Sequence, residues 1–361
     1  MKKIPRPVKL ALKLILSIAF FSVLLSFVQG NQLLDLFSQI NWFFFMLSFA
    51  VTLIMVGASC AKWKLILDLK KKISYWELFR VYLVGYFFSN ILPSTVGGDV
   101  VRSYYAGKLI DNQSFSAVSV FVERFSGIFL LFFLVIVAPL LRPDLYQSPY
   151  IFLPACAGAV LSLITIWVWK ARNPFKLPNK IAHLFFRFLH KIATVPGFSF
   201  VNAGVEFLEK LYRAIIERLK KLREELDLAI SAVRQDKLFL WRLIYLTVLF
   251  YVLTWINVYT SYRAFNVHVD FIVVCALVPA AMLAAHLPVT LLGNLGYFES
   301  VFVFYFLLVG VGGAESLAMG LLLRLKMLTM GAVGYIVYLT YKQKYGVDLE
   351  TGTRDGNIEK S

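Results

Sequence analysis

The chain has 361 residues, 59% of them hydrophobic, with 33 Phe and a mean hydropathy of +0.72. Soluble domains carry roughly 45–50% apolar residues, so a water-soluble fold is excluded and the chain reads as an all-α polytopic integral membrane protein. The formal charge of +16 does not indicate a nucleic-acid partner, because the Lys and Arg gather in a few loops and not along one soluble face.

The first charge-free run, Leu14 to Val28, follows Lys2, Lys3, Arg6, Lys9 and Lys13. No small-residue cleavage site comes after Val28 and a second apolar run soon follows, so this is a membrane span and not a signal peptide. The second run is Trp42 to Ala61, near the ~20 residues that cross ~30 Å of hydrocarbon. Lys62, Lys64, Lys70, Lys71 and Lys72 come next. An interrupted segment occupies Ser74 to Asn112, with apolar Trp76 to Ile91, a break at Pro93 to Gly98, and a new start at Asp99. Two further spans, Phe125 to Leu141 and Tyr150 to Trp169, close an N-terminal membrane half over residues 1–169.

Residues 170–238 form a basic insert. In it Leu208, Tyr212, Ile215, Leu219, Leu222, Leu226, Ile230 and Val233 recur at helical spacing, opposite Lys220, Lys221, Arg223, Glu224 and Glu225. This predicts one long amphipathic helix of mixed charge, better suited to packing on the membrane core or a partner helix than to sensing anionic lipid.

A C-terminal membrane half over 239–341 holds Phe239 to Tyr262, Phe271 to His286, a break from Leu287 to Gly296, Tyr297 to Gly310 and Ser316 to Tyr341. A polar tail, 342–361, completes the chain. The pieces flanking the second break span only roughly 22 Å each, short for a crossing, which favours re-entrant half-helices. Leu92-Pro93-Ser94-Thr95 is echoed by Leu287-Pro288-Val289-Thr290, each followed by glycines and a carboxylate, a weak internal repeat. Six full spans result if the second pair is re-entrant, eight if both pieces cross. The positive-inside rule places the basic loops, the insert and both termini in the cytoplasm of a cell-membrane protein, and the loops near Asp35, Asp144 and Asp270 outside.

The strongest local signal is Pro93-Ser94-Thr95-Val96-Gly97-Gly98-Asp99-Val100-Val101-Arg102. Proline stops one helix, Gly97 and Gly98 turn the backbone, and Asp99 is placed to cap the next helix, with Arg102 one turn on. Free amides of a helix start beside an arginine can hold a phosphate; equally, Asp99 and Arg102 can simply pair with each other. Glu123 and Arg124 open the next span, either snorkelling at the boundary or, if deeper, pairing with Arg102 and Asp99. After the second break, Gly296 and Glu299 parallel Gly98 and Asp99. Arg324, about a third of the way along the last run with Lys326 near it, requires a carboxylate or an anionic ligand, and Glu299 is the candidate. His286 abuts the second break, whereas His183 and His190 read as solvated. No Walker, dinucleotide, zinc-protease or serine-hydrolase motif is present, and neither metal nor cofactor is expected. Cys60, Cys156 and Cys275 lie in apolar runs without paired spacing and read as packing residues.

The Pro-x-x-x-Gly-Gly-Asp-x-x-Arg stretch, the Glu123-Arg124 pair and the late Pro288…Gly293-x-x-Gly296-x-x-Glu299 segment followed by the Arg324 helix resemble the lysylphosphatidylglycerol synthase transmembrane family, also called flippase-like membrane proteins. The likeness covers nearly the whole chain. It implies a module that moves or handles lipids with charged or glycosylated head groups, and it carries the family's polar positions onto Asp99, Arg102, Glu123, Arg124, Glu299 and Arg324. Asn294 departs from the pattern where another glycine is expected. The soluble domain with which the bifunctional members transfer lysine does not follow the last span, so that transfer is not expected. The functional expectation is a lipid translocase whose partner is an anionic phospholipid or polyprenyl-phosphate lipid. The alternatives are an intramembrane transferase on such a lipid, and an accessory subunit whose insert recruits a lipid-synthesis enzyme.

Overall fold

The computed structural model describes residues 22, 30–92, 97–170, 176–193, 237–287, 289 and 294–345, with separate positions between 205 and 220. The expected first span and most of the long insert helix lie outside the described residues, as do the turns at 93–96 and 290–293. Every regular element among the described residues is a helix: α1 Gly30–Ser38, α2 Trp42–Leu67, α3 Tyr75–Ile91, α4 Gly97–Leu109, α5 Gln113–Val137, α6 Pro149–Lys170, α7 Lys176–Ala193, α8 Lys237–Ala264, α9 Phe271–Ala285, α10 Tyr297–Leu307 and α11 Gly313–Tyr345. Short 3₁₀ turns at Ala138–Leu141 and Pro143–Gln147 join α5 to α6. Among the described residues, five helices are long and apolar enough to cross a membrane: Trp42–Leu67, Gln113–Leu141, Pro149–Trp167, Lys237–Ala264 and Gly313–Thr340.

The outward faces explain the composition. Leu53, Ile54, Phe133, Leu163 and Ile336 are each at least half exposed on these helices, a surface that only lipid can solvate.

Side-chain contacts fix the directions of the helices. The Asn41 N–H donates to Ala264 O at 2.8 Å, and Thr52 Oγ1 donates to Asn257 Oδ1 at 3.4 Å, so α2 and α8 run antiparallel. The chain leaves α2 on the opposite side, through the basic turn at Lys70 and Lys71. From there α3 enters and α4 returns to the same side, because Lys71 Nζ meets Asp111 Oδ2 at 2.9 Å across the mouth. The pair α9 and α10 behaves in the same way from the other side. A cavity of about 330 Å³ is lined by Val267 to Asp270 from the start of α9 and Val309 to Gly312 from the end of α10, so the two ends meet. Both pairs are hairpins within the bundle, open to opposite sides. At 1.5 Å per residue α10 is only roughly 16 Å long, too short to cross.

The two halves of the sequence interleave. Besides α2 with α8, α3 packs along α11, where Asn90 Nδ2 donates to Met327 O at 3.0 Å. The largest buried cluster gathers around Tyr262, Leu277, Phe302, Phe306 and Met319, and a second around Trp63, Leu78, Val81 and Tyr105. Each hairpin is thus seated in its own apolar core.

Candidate functional site

The first break is framed by α3 and α4 in unusually close contact. At Gly98 a Cβ would run into Gly85 O and Ser89 Oγ, and at Gly85 it would meet Arg102 Cβ at 3.3 Å. α4 begins at Gly97, so Asp99 lies inside the first turn and is not the cap residue that the sequence reading made it. Its carboxylate faces two arginines. Arg102 Nε donates to Asp99 Oδ1 at 2.9 Å, and Arg124 Nη2 donates to the same oxygen at 3.0 Å.

Glu123 corrects a second expectation. α5 starts at Gln113, with Asn112 Oδ1 accepting from the Phe115 N–H at 2.8 Å as the cap. Glu123 and Arg124 therefore lie well inside the helix and do not open it. Glu123 is 5% exposed and accepts from Arg102 Nη2 at 2.7 Å. Its other oxygen lies 3.4 Å from Lys62 Nζ.

Lys62, only 4% exposed, is the member of this network that sequence reasoning missed. It was grouped with Lys64 to Lys72 as a loop charge, yet α2 continues to Leu67. The apolar Trp63, Ile66 and Leu67 beyond it were the available signal. Trp63 and Tyr82 complete the frame, with the Arg102 guanidinium 4.9 Å and 4.8 Å from their ring centres.

Lys62, Arg102 and Arg124 face Asp99 and Glu123, so three cations meet two carboxylates and one positive charge is in excess. Arg102 Nη1 is buried and has no hydrogen-bond partner among the described residues. An orphaned guanidinium N–H at this depth is costly unless something accepts from it. Arg124 is half exposed by its side chain. His286, at the end of α9, is exposed in the same region and close enough to Arg124 to interact with it electrostatically.

The second break is closed by its own pair. Glu299 is fully buried; one oxygen accepts from Arg324 Nε at 2.7 Å and the other from the Gly296 N–H at 2.8 Å, which caps α10. The Arg324 guanidinium also lies 5.4 Å from the Phe298 ring centre. Asn294 does what the expected glycine would do. It takes a left-handed φ of 62°, which Asn tolerates better than most residues, and its Nδ2 donates to Ala285 O at 3.0 Å and Leu287 O at 2.6 Å, tying off the end of α9. Farther along α11, Lys326 is 1% exposed; it donates to Asn257 Oδ1 and, at 2.8 Å, to Ser261 Oγ. Among the described residues no group of three or more His, Cys, Asp or Glu is placed to hold a metal.

The fold and this charged centre define a polytopic α-helical membrane protein with two short-helix hairpins and a buried cluster of basic and acidic side chains between its helices. The sequence profile of the lysylphosphatidylglycerol synthase TM region matches residues 10–334, and the chain belongs to that family. This gives it a lipid-related role in the membrane. No curated protein and no solved structure matches the chain.

Proposed function

We propose that the protein is a lipid translocase that accepts anionic or head-group-modified lipids at a crevice between the two breaks. The observation that carries this reading is the first-break network: one positive charge in excess, an unpartnered Arg102 N–H, and a half-exposed Arg124. A phosphodiester oxygen supplies what is missing, a single negative charge and an acceptor for a guanidinium N–H. Asp99 and Glu123 hold the guanidinium groups in place, and the rings of Trp63 and Tyr82 pack against that of Arg102. Both carboxylates are committed to cations, which favours a binding site over the general base that a transferase would need.

The test is Arg102→Gln. Glu123 keeps Lys62 and Asp99 keeps Arg124, so the variant is expected to reach the membrane at near-normal abundance. Translocation of a fluorescent short-chain phosphatidylglycerol in reconstituted vesicles should fall about 10- to 100-fold, the worth of one charge-assisted hydrogen bond. The double change Asp99→Asn with Arg102→Gln should not recover it. Wild-type translocation by either folded variant would overturn the phosphate role.

A further inference from the structure

Helix α7, Lys176–Ala193, is set apart from the spans by its charge pattern. Its 18 residues include four Lys or Arg and two His but no Asp or Glu. At 100° per residue, Asn179, Lys180, His183 and Arg187 fall within roughly a 100° arc, Phe185 and Leu189 lie on the opposite face, and Leu184 sits at the margin. Lys180, His183 and Arg187 are exposed. Leu184 and Phe185 are exposed too, at 61% and 53%. Among the described residues the segment at 205–220 meets α7 on one flank, where Tyr212 Oη donates to Asn179 Oδ1 at 2.9 Å and the Tyr212 ring lies 5.9 Å from that of Phe186. Among the described residues the Phe185 face is open.

The position of α7 in the chain says what can cover that face. α6 packs antiparallel to α5, with Gly158 against Phe132 O, and so ends on the side where α5 begins and where Lys64, Lys70 and Lys71 lie. The five intervening residues reach at most about 20 Å, so α7 starts at the membrane boundary. A helix with an apolar face and a purely basic polar face, held at that boundary, matches an anionic lipid surface in both apolarity and charge.

We propose that α7 lies in the plane of the bilayer on the basic side, with Phe185 immersed and Lys180 and Arg187 engaging anionic head groups. The helix anchors the insert to charged leaflets and is separate from the crevice between the breaks.

The full chain, with exposed Cys156 changed to Ala, is spin-labelled at Phe185→Cys or Arg187→Cys. It is reconstituted either in phosphatidylcholine vesicles or in vesicles that also contain phosphatidylglycerol. In the anionic vesicles the label at 185 should collide with oxygen in preference to a water-soluble nickel chelate, at a depth of roughly 5–10 Å, and the label at 187 should do the reverse. In phosphatidylcholine alone, or after Lys180→Glu, the immersed population should drop on the order of fivefold per basic interaction lost. A label at 185 shielded from both reagents would place that face against protein and overturn the proposal. Nickel access in both lipids, or equal immersion in both, would overturn it as well. Leu184→Cys provides a second reading should the label at 185 disturb the helix.

Discussion

Glu123 joins Lys62 and Arg102 at a depth where neither cation has water to fall back on. Breaking such a buried pair costs about 3–5 kcal/mol, because a charge is left uncompensated. Glu123→Gln would leave three cations facing Asp99 alone, so the thermal unfolding midpoint in detergent should fall by that order. Adding Lys62→Met removes one of the surplus cations and should recover part of the loss; no recovery would mean that Lys62 and Glu123 are not coupled. The residue identities here were largely legible beforehand, since Asp99 with Arg102 one turn on, and Glu299 with Arg324, are pairs that charge balance in a membrane demands. The reading that set Glu123 and Arg124 deeper also named their partners, Arg102 and Asp99, and Glu299 was the candidate for Arg324; the place of Lys62 beside Glu123 was not legible. Lys62 sits next to a run of loop lysines, and no local pattern shows that its helix carries on for another turn.

Helix starts decided most of what the sequence reading misplaced. The apolar run gave α5 a beginning at Phe125, yet Asn112 caps it at Gln113, and the added turns carry Glu123 and Arg124 from the boundary into the interior. A capping Asn ahead of an amphiphilic first turn is a readable signal, but hydropathy hides it behind Ser114, Ser116 and Ser119. The approach of α3 to α4 rests on Gly85 and Gly98, where the helices nearly touch. Gly98→Ala should force them apart at a cost of about 1–3 kcal/mol and shift Arg102, lowering both the melting temperature and lipid translocation. Gly127→Ala is the matching control: its Cβ would meet only Lys62 Nζ at 3.8 Å and Tyr251 Oη at 4.0 Å, so the loss of glycine's backbone entropy cost should leave stability unchanged or slightly raised. Equal destabilisation by both changes would show that close packing is not what Gly98 provides.

At the scale of the whole molecule, the lengths of α9 and α10 pointed to a hairpin, but sequence could not show that the two pairs open to opposite sides. That follows from contacts far apart in the chain, Lys71 with Asp111 at one mouth and the Val267 and Gly310 segments at the other. The end of α9 brings His286 within electrostatic reach of Arg124, which lies roughly 16 Å along α5 from its start, near the middle of the bilayer. With eight full spans the first break would stay inside the bilayer while the second lay at the basic surface, roughly 15 Å away along the membrane normal, and His286 would be at that surface. Cysteines at Arg124 and His286, in a background lacking Cys156, should therefore be joined by a short bifunctional thiol reagent in intact membranes. The orientation itself follows from the basic loops: a reporter fused after Asp236 should read cytoplasmic and one after Gln147 external. If that fusion pattern holds but the cysteines do not cross-link while the doubly substituted protein remains folded, the hairpins do not share a crevice, and the lipid site must be sought at the first break alone.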